Sequence, residues 1–129
     1  MRKTVVSPEV KKPDRAALTG GVLVDGQMFL SGQMAYDPEI DGIAPDADAA
    51  AQTRVIMDNI GHLLRAEGFD YSDIVRVTIF LTDLSDLRAM NEVYSSYVSE
   101  PYPARSTVEV AGLAIPNGRV EIEAQAIRS

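Results

Sequence analysis

The chain has 129 residues, enough for one compact domain, and its 46% apolar and 24% charged content is that of a globular protein, which excludes disordered and fibrous classes. Twelve basic against nineteen acidic side chains leave a formal charge of -7, the wrong sign for gripping a phosphate backbone, so nucleic acid is not an expected partner. The absence of cysteine removes disulfides, thiolate nucleophiles and cysteine metal sites together.

The start, Met1-Arg2-Lys3-Thr4-Val5-Val6-Ser7-Pro8, is basic without the apolar run of a signal peptide, and no stretch approaches a membrane span. A cytoplasmic protein forming one domain over residues 1–129, with no membrane partner, is the expectation. Residues 4–6 read as a short first strand, followed by the polar, proline-broken Lys11-Lys12-Pro13-Asp14-Arg15. Residues 17–24 and 27–31 are β-prone runs separated by Asp25-Gly26, the two-residue signal of a type I′ hairpin. The Pro-, Gly- and Asp-rich stretch over 36–45 reads as a loop.

A helical period then runs from about 48 to 67, with Val55, Ile56, Ile60, Leu63 and Leu64 on the inward face. Asp46 or Asp48 is available as N-cap, and Gly68 as the stop. Residues 74–81 carry the β-branched content of a buried strand, with Val75, Val77, Ile79 and Leu81 pointing one way and Ile74, Arg76, Thr78 and Phe80 the other. Asp83 can cap a second helix, in which Leu87, Met90, Tyr94 and Tyr97 follow the helical spacing and assign both tyrosines to the core. That helix should end before Pro101 and Pro103. Strands over about 105–111 and 119–127 close the chain. The order β-β-β-α-β-α-β-β predicts an α+β fold, a mixed six-stranded sheet with two helices on one face.

Alternation in the last two strands places Arg105, Thr107 and Glu109 on one side of the first, and Glu121 and Glu123 on one side of the second. If the two strands are neighbours, an arginine, a threonine and three carboxylates share a sheet face. Such a face serves as a solvated exterior, as an oligomer interface held by Arg-Glu pairs, or as a carboxylate-binding pocket. Arginine suits the last role because its planar fork makes two parallel charge-assisted bonds to a carboxylate.

Pro103-Ala104-Arg105-Ser106-Thr107-Val108-Glu109-Val110, followed by Val120-Glu121-Ile122-Glu123-Ala124, closely resembles the C-terminal signature of the RidA/YjgF family, also called L-PSP. Ser31-Gly32-Gln33, Asp73-Ile74-Val75, Leu81-Thr82-Asp83-Leu84 and Met90-Asn91 resemble that family's internal motifs in the right order, so the likeness spans nearly the whole chain. It implies a chorismate-mutase-like fold and a homotrimer with pockets between adjacent subunits. It further implies hydrolysis of reactive 2-imino acids, or their enamine tautomers, to 2-keto acids and ammonia, with no metal or organic cofactor.

By position, the resemblance makes Arg105 the grip on the substrate carboxylate, Glu121 the group that orients the attacking water, and Thr107 a contributor at the imine end. Ser31 and Asn91 match polar pocket positions. Leu18 stands where the family's deaminases usually carry a pocket tyrosine, which leaves open a larger or more apolar imino acid. It also leaves open a trimer that binds a small carboxylate without turning it over. An endoribonuclease, a third activity described in the family, is disfavoured by the chain's acidity. His62, mid-helix, reads as structural, and Glu109 and Glu123 as interface partners. Ser31 and Asn91 remain open between a pocket role and simple strand-end or loop hydrogen bonding.

Overall fold

The computed structural model describes residues 1–128. Six strands, β1 (Arg2–Val5), β2 (Gly21–Val24), β3 (Gln27–Gln33), β4 (Ile74–Leu81), β5 (Ala104–Glu109) and β6 (Val120–Ile127), form one sheet in the order β1-β2-β3-β6-β4-β5. All neighbouring pairs are antiparallel except β4 and β5, which run parallel. Two helices, α1 (Ala49–Ala66) and α2 (Leu87–Ser95), cover one face, giving the predicted α+β order. Among the described residues, no helix is long and apolar enough to cross a membrane.

Local chemistry accounts for the element limits. Asp25 and Gly26 take φ of 50° and 75°, the doubly left-handed pair that a type I′ turn requires, and glycine adopts its half without steric cost. Asp48 supplies the N-cap of α1, its carboxylate accepting from Ala51 N at 2.8 Å. Beyond Glu67, Phe69 N donates back to Leu64 O at 2.9 Å and closes the helix. Asp83 caps not α2 itself but a preceding single turn at Leu84–Asp86, accepting from Ser85 N, and Glu109 at the end of β5 accepts from Leu84 N. Helix α2 is shorter than its periodicity suggests. Tyr97 lies past its end, where its hydroxyl donates to Asp58 Oδ1 on α1 at 2.8 Å.

The core is the slab between sheet and helices. Ile56, Met57, Ile60, Leu63 and Leu64 of α1 and Met90 of α2 meet Val77, Ile79 and Leu81 of β4 and Val120, Ile122 and Ala126 of β6. Val55 falls beside this stripe and is 42% exposed, not in it. The expected alternation in β4 also breaks at its start. Ile74 pairs with Ala126 and Arg76 with Gln125, two residues of advance against one, so a bulge buries Ile74 and turns Val75 outward. The first strand begins two residues earlier than expected. The second begins only at Gly21, leaving residues 17–20 as the wall of a cleft rather than strand.

The conditional adjacency of the last two strands is overturned, because β4 lies between them. Arg105 pairs with Val77, and Val77 with Ala124, so Arg105, Thr107 and Glu109 align with the buried row on the helix side. Glu121 and Glu123 pair with Phe80 and Thr78 and sit on the opposite, helix-free face. Parallel pairing is the physical reason: β5 must return through a crossover helix, and the antiparallel slot on the other side of β4 is left for β6.

Gln52 ties the C-terminal loop to this scaffold. Wholly buried, it donates to Ala47 O and Asn117 O and accepts from Arg119 N at 2.8 Å. Gln52→Ala strands an amide N–H and two carbonyls, so it should lower unfolding stability by on the order of 3 kcal/mol, read as a drop in the urea midpoint. A change below half a kcal/mol would show that the network carries no stability.

Candidate functional site

The predicted site residues fall into two groups. In the first, β5 supplies Arg105 and Thr107 and α2 supplies Asn91. Arg105 Nη1 donates to Asn91 Oδ1 at 2.6 Å, and its guanidinium carbon lies 5.1 Å from the centre of the Tyr94 ring. An amide oxygen and a ring face hold the arginine without neutralising it, and among the described residues no carboxylate is paired with it. Its remaining N–H groups stay available to a planar anion. Two residues along the same strand face, Thr107 Oγ1 is buried with no hydrogen-bond partner, a state that calls for a polar ligand or water.

In the second group, β3 supplies Ser31, the preceding segment supplies Leu18, and β6 supplies Glu121. Leu30 pairs with Ala124 and Gln33 with Ile122, so β3 bulges across Ser31 and Gly32. Ser31 Oγ donates to Thr19 O at 2.6 Å and Ser31 N to Gly20 O at 2.9 Å, tethering the Leu18 segment to the bulge. Gly32 makes room for Glu121, since a Cβ at this position would run into the Glu121 carboxylate. Glu121, Gly32 and Leu18 line one cleft of about 450 Å³ whose walls include Val10, Ala16, Met34 and Ile115. Burial, and after it the charge of Glu123, hold the Glu121 carboxyl above the ordinary glutamate range.

Within one chain the groups do not meet. Arg105 projects on the helix side of edge strand β5, whereas Glu121 lies beyond β4 on the other face, and neither Arg105, Asn91 nor Thr107 lines the cleft of Glu121. Asn91 grips Arg105 rather than a loop carbonyl. Glu109 accepts from Leu84 N at 2.8 Å, a local structural bond, and Glu123 is exposed on the open face. His62 is half-buried on α1. Helical spacing assigns Tyr94 to the core. It is buried, but its ring also seats Arg105, a role its spacing of three from Asn91 on one helix face could have signalled. Gly32 was visible only as part of a motif.

The chain is thus a two-helix, six-stranded α+β domain with an arginine free of any paired carboxylate on one edge and a half-buried carboxylate beside a cleft. The profile described as Endoribonuclease L-PSP matches residues 11–128. Reactive Intermediate Deaminase A, chloroplastic, from Arabidopsis thaliana is 37% identical over 95% of this chain, which spans 65% of that protein's length. The 2-iminobutanoate/2-iminopropanoate deaminase of Homo sapiens is 38% identical over 83% of this chain and 77% of its own. Among solved structures, RidA from an Antarctic Psychrobacter superposes with a TM-score of 0.85 at 32% identity, covering 98% of this chain and all of that one. TdcF from E. coli, with bound serine, gives 0.85 at 34% identity over 98% of this chain and 100% of its own. The chain belongs to the L-PSP family, that of RidA and YjgF.

The raised Glu121 pKa has a sign that can be checked. Its ionised form is the disfavoured one, so its titration midpoint, followed by carboxyl carbon NMR, should lie above the 4.5 of an ordinary glutamate. Glu123→Gln removes the like charge and should lower that midpoint while leaving the larger effect of burial. A midpoint at or below the ordinary value in Arg105→Ala, which excludes compensation by a guanidinium, would remove the desolvated carboxylate from the site.

Proposed function

We propose that the protein hydrolyses 2-imino acids, or their enamine tautomers, to 2-keto acids and ammonia in pockets between the subunits of a homotrimer. Each pocket joins Arg105, Asn91 and Thr107 of one subunit to Glu121, Ser31 and Leu18 of the next. The observation that carries this reading is the division itself: a free arginine held by neutral partners and an uncompensated, half-buried carboxylate, each incomplete alone. The helix-free sheet face supports assembly, since it leaves Phe29, Val108 and Ile127 between 38% and 48% exposed. Relatives named imine deaminases support the chemistry.

In this reading, the Arg105 fork binds the substrate carboxylate through two parallel N–H bonds, and Tyr94 and Asn91 hold the fork in place before the substrate arrives. Water held by the Glu121 carboxylate attacks the imine carbon. Its oxygen bonds to the carbon of the N-protonated imine, one of its protons passes to Glu121, and the C=N electron pair becomes the nitrogen lone pair of a carbinolamine. Glu121 then gives that proton to the nitrogen, the C–N bond breaks as ammonia leaves, and the carbinolamine hydroxyl returns its proton to Glu121 as the carbonyl forms. The imine carbon is already electrophilic, so positioning and one proton relay, typically worth 10²–10⁴ in rate, are sufficient. Water activation needs the Glu121 carboxylate ionised, so activity should fall as pH drops through its titration midpoint in the assembled site.

Leu18 favours a second reading, in which the assembly binds a small carboxylate without turnover, because its side chain has no hydroxyl to donate. An endoribonuclease, the activity in the family's description, fits poorly with a formal charge of -7.

Subunit complementation tests the proposal. With imines generated by an amino-acid oxidase and trapped by semicarbazide, Arg105→Ala and Glu121→Gln should each lose activity on the order of a hundredfold. Dissociating, mixing and reassembling the two variants restores sites in which both halves are wild type, and roughly a quarter of the activity should return by random pairing. No recovery from properly assembled mixtures would place both residues in one subunit's site. No consumption of imine by the wild-type protein would leave the binding reading.

A further inference from the structure

We infer that the Glu121 cleft selects 2-imino acids with bulky apolar side chains over small or acidic ones; the inference rests on the between-subunit site proposed above. The cleft is about 450 Å³, in the range of pockets that enclose whole small-molecule ligands and well beyond what a methyl or ethyl group fills. Its apolar lining includes Val10, Ala16, Leu18, Met34, Ile115 and Pro116, beside polar residues such as Gln33 and Tyr36, and the same space reaches Gly32 and Glu121. An apolar group entering it therefore remains attached to a carbon within reach of the carboxylate. Leu18 is 52% exposed and lines this cleft, so its side chain is accessible to a ligand bound there.

Three cations, Lys11, Lys12 and Arg15, also line the cleft and raise the alternative of an acidic side chain. One of them is neutralised: Arg15 Nη1 lies 3.3 Å from Asp41 Oδ2, and Asp41 also accepts from Tyr36 at 2.8 Å. Lys12 Nζ donates to Ala16 O at 3.2 Å, and it and Lys11 keep their charge. The carboxylates of Glu121 and Asp41 on the same lining oppose an acidic side chain, and the apolar Val10, Leu18, Met34 and Ile115 favour an apolar one.

The cleft's rim is built rather than incidental. Ile115 and Pro116 belong to the loop that Gln52 anchors through Asn117 O, and Asn117 Nδ2 donates to Ile43 O at 3.0 Å. Leu18, elsewhere on the lining, is held through Thr19 O and Gly20 O, the acceptors of the two Ser31 bonds. Both segments are thus pinned by hydrogen bonds, which gives the cleft a fixed shape capable of discriminating side chains.

Calorimetry with keto acids as product probes, on the assembled protein, tests selection separately from turnover. The keto acid of leucine should bind about tenfold or more tightly than pyruvate, the discrimination expected of an apolar pocket filled by extra methylenes. The ratio should collapse in Leu18→Asn, whose half-exposed position spares the core, and in Ile115→Ser elsewhere on the lining. Equal or tighter binding of pyruvate overturns the inference. So does tightest binding of oxaloacetate, which would make the cations decisive, or a preference that survives both substitutions. In the parallel semicarbazide assay, absent turnover with the binding preference intact would reject the deaminase and keep the selectivity. Turnover of all imines without preference would do the reverse.

Discussion

The position of β4 between β5 and β6 governs the rest of the molecule. Because β4 and β5 run parallel, the chain must cross over between them, and the crossover carries α2 onto the side of the sheet from which Arg105 projects. Asn91 and Tyr94 reach the guanidinium for this reason, and the arginine is orientated by its own crossover helix. The same intervening strand carries Glu121 away. It lies beyond β4 in the sheet and, by alternation, on the other face. One topological fact therefore both completes the anion-binding half of the candidate site and separates it from the half that holds the carboxylate.

Electrostatics gives the separation a cost that association can remove. In a chain of formal charge -7, the exposed Arg119 finds Asp86 at 3.1 Å, whereas Arg105 is held by a neutral amide and a ring. Glu121 is half-buried with a like charge nearby and, among the described residues, no cation against it. A raised folded-state pKa means that this group favours the folded state most at low pH, and that the contribution is lost as pH rises through the shifted value. At neutral pH the ionised Glu121 is thus a destabilising feature of the domain. Such strain is typical of residues kept for what they do rather than for what they hold together. The proposed assembly brings a positive half toward this negative one and a carboxylate ligand onto the arginine.

Local rules made much of the fold legible. The Asp25-Gly26 turn, the Asp48 cap and the end of α1 follow from φ preferences and unsatisfied backbone donors, which act within a few residues. Alternation assigned Arg105 with Thr107, and Glu121 with Glu123, to common faces correctly within each strand. It could not say which strands are neighbours, because face periodicity carries no information on pairing partner. The bulges at Ile74 to Arg76 and across Ser31 to Gly32 were also hidden. A bulge inserts a residue without changing composition, so it shows only as a mismatch against a partner strand. For that reason Val75 appeared to belong with Val77. Tyr94 was read as core for a related reason. An apolar ring at helical spacing looks the same whether the side chain above it is a leucine or an arginine.

The bulge in β3 joins the fold to the chemistry. It breaks the ladder with β6 opposite Glu123, and it presents a residue without a side chain at the point where the Glu121 carboxylate needs space. It also turns Ser31 so that its hydroxyl and N–H hold the Leu18 segment. Carboxylate position and cleft wall are therefore set by consecutive residues of one irregularity. A substitution at Ser31 would loosen the wall, and one at Gly32 would displace the carboxylate. Under the proposed function, the wall that meets the substrate side chain and the carboxylate that holds water thus share one irregularity, and Leu18 and Ile115, which line the cleft outside that bulge, are where a change of substrate range would be made.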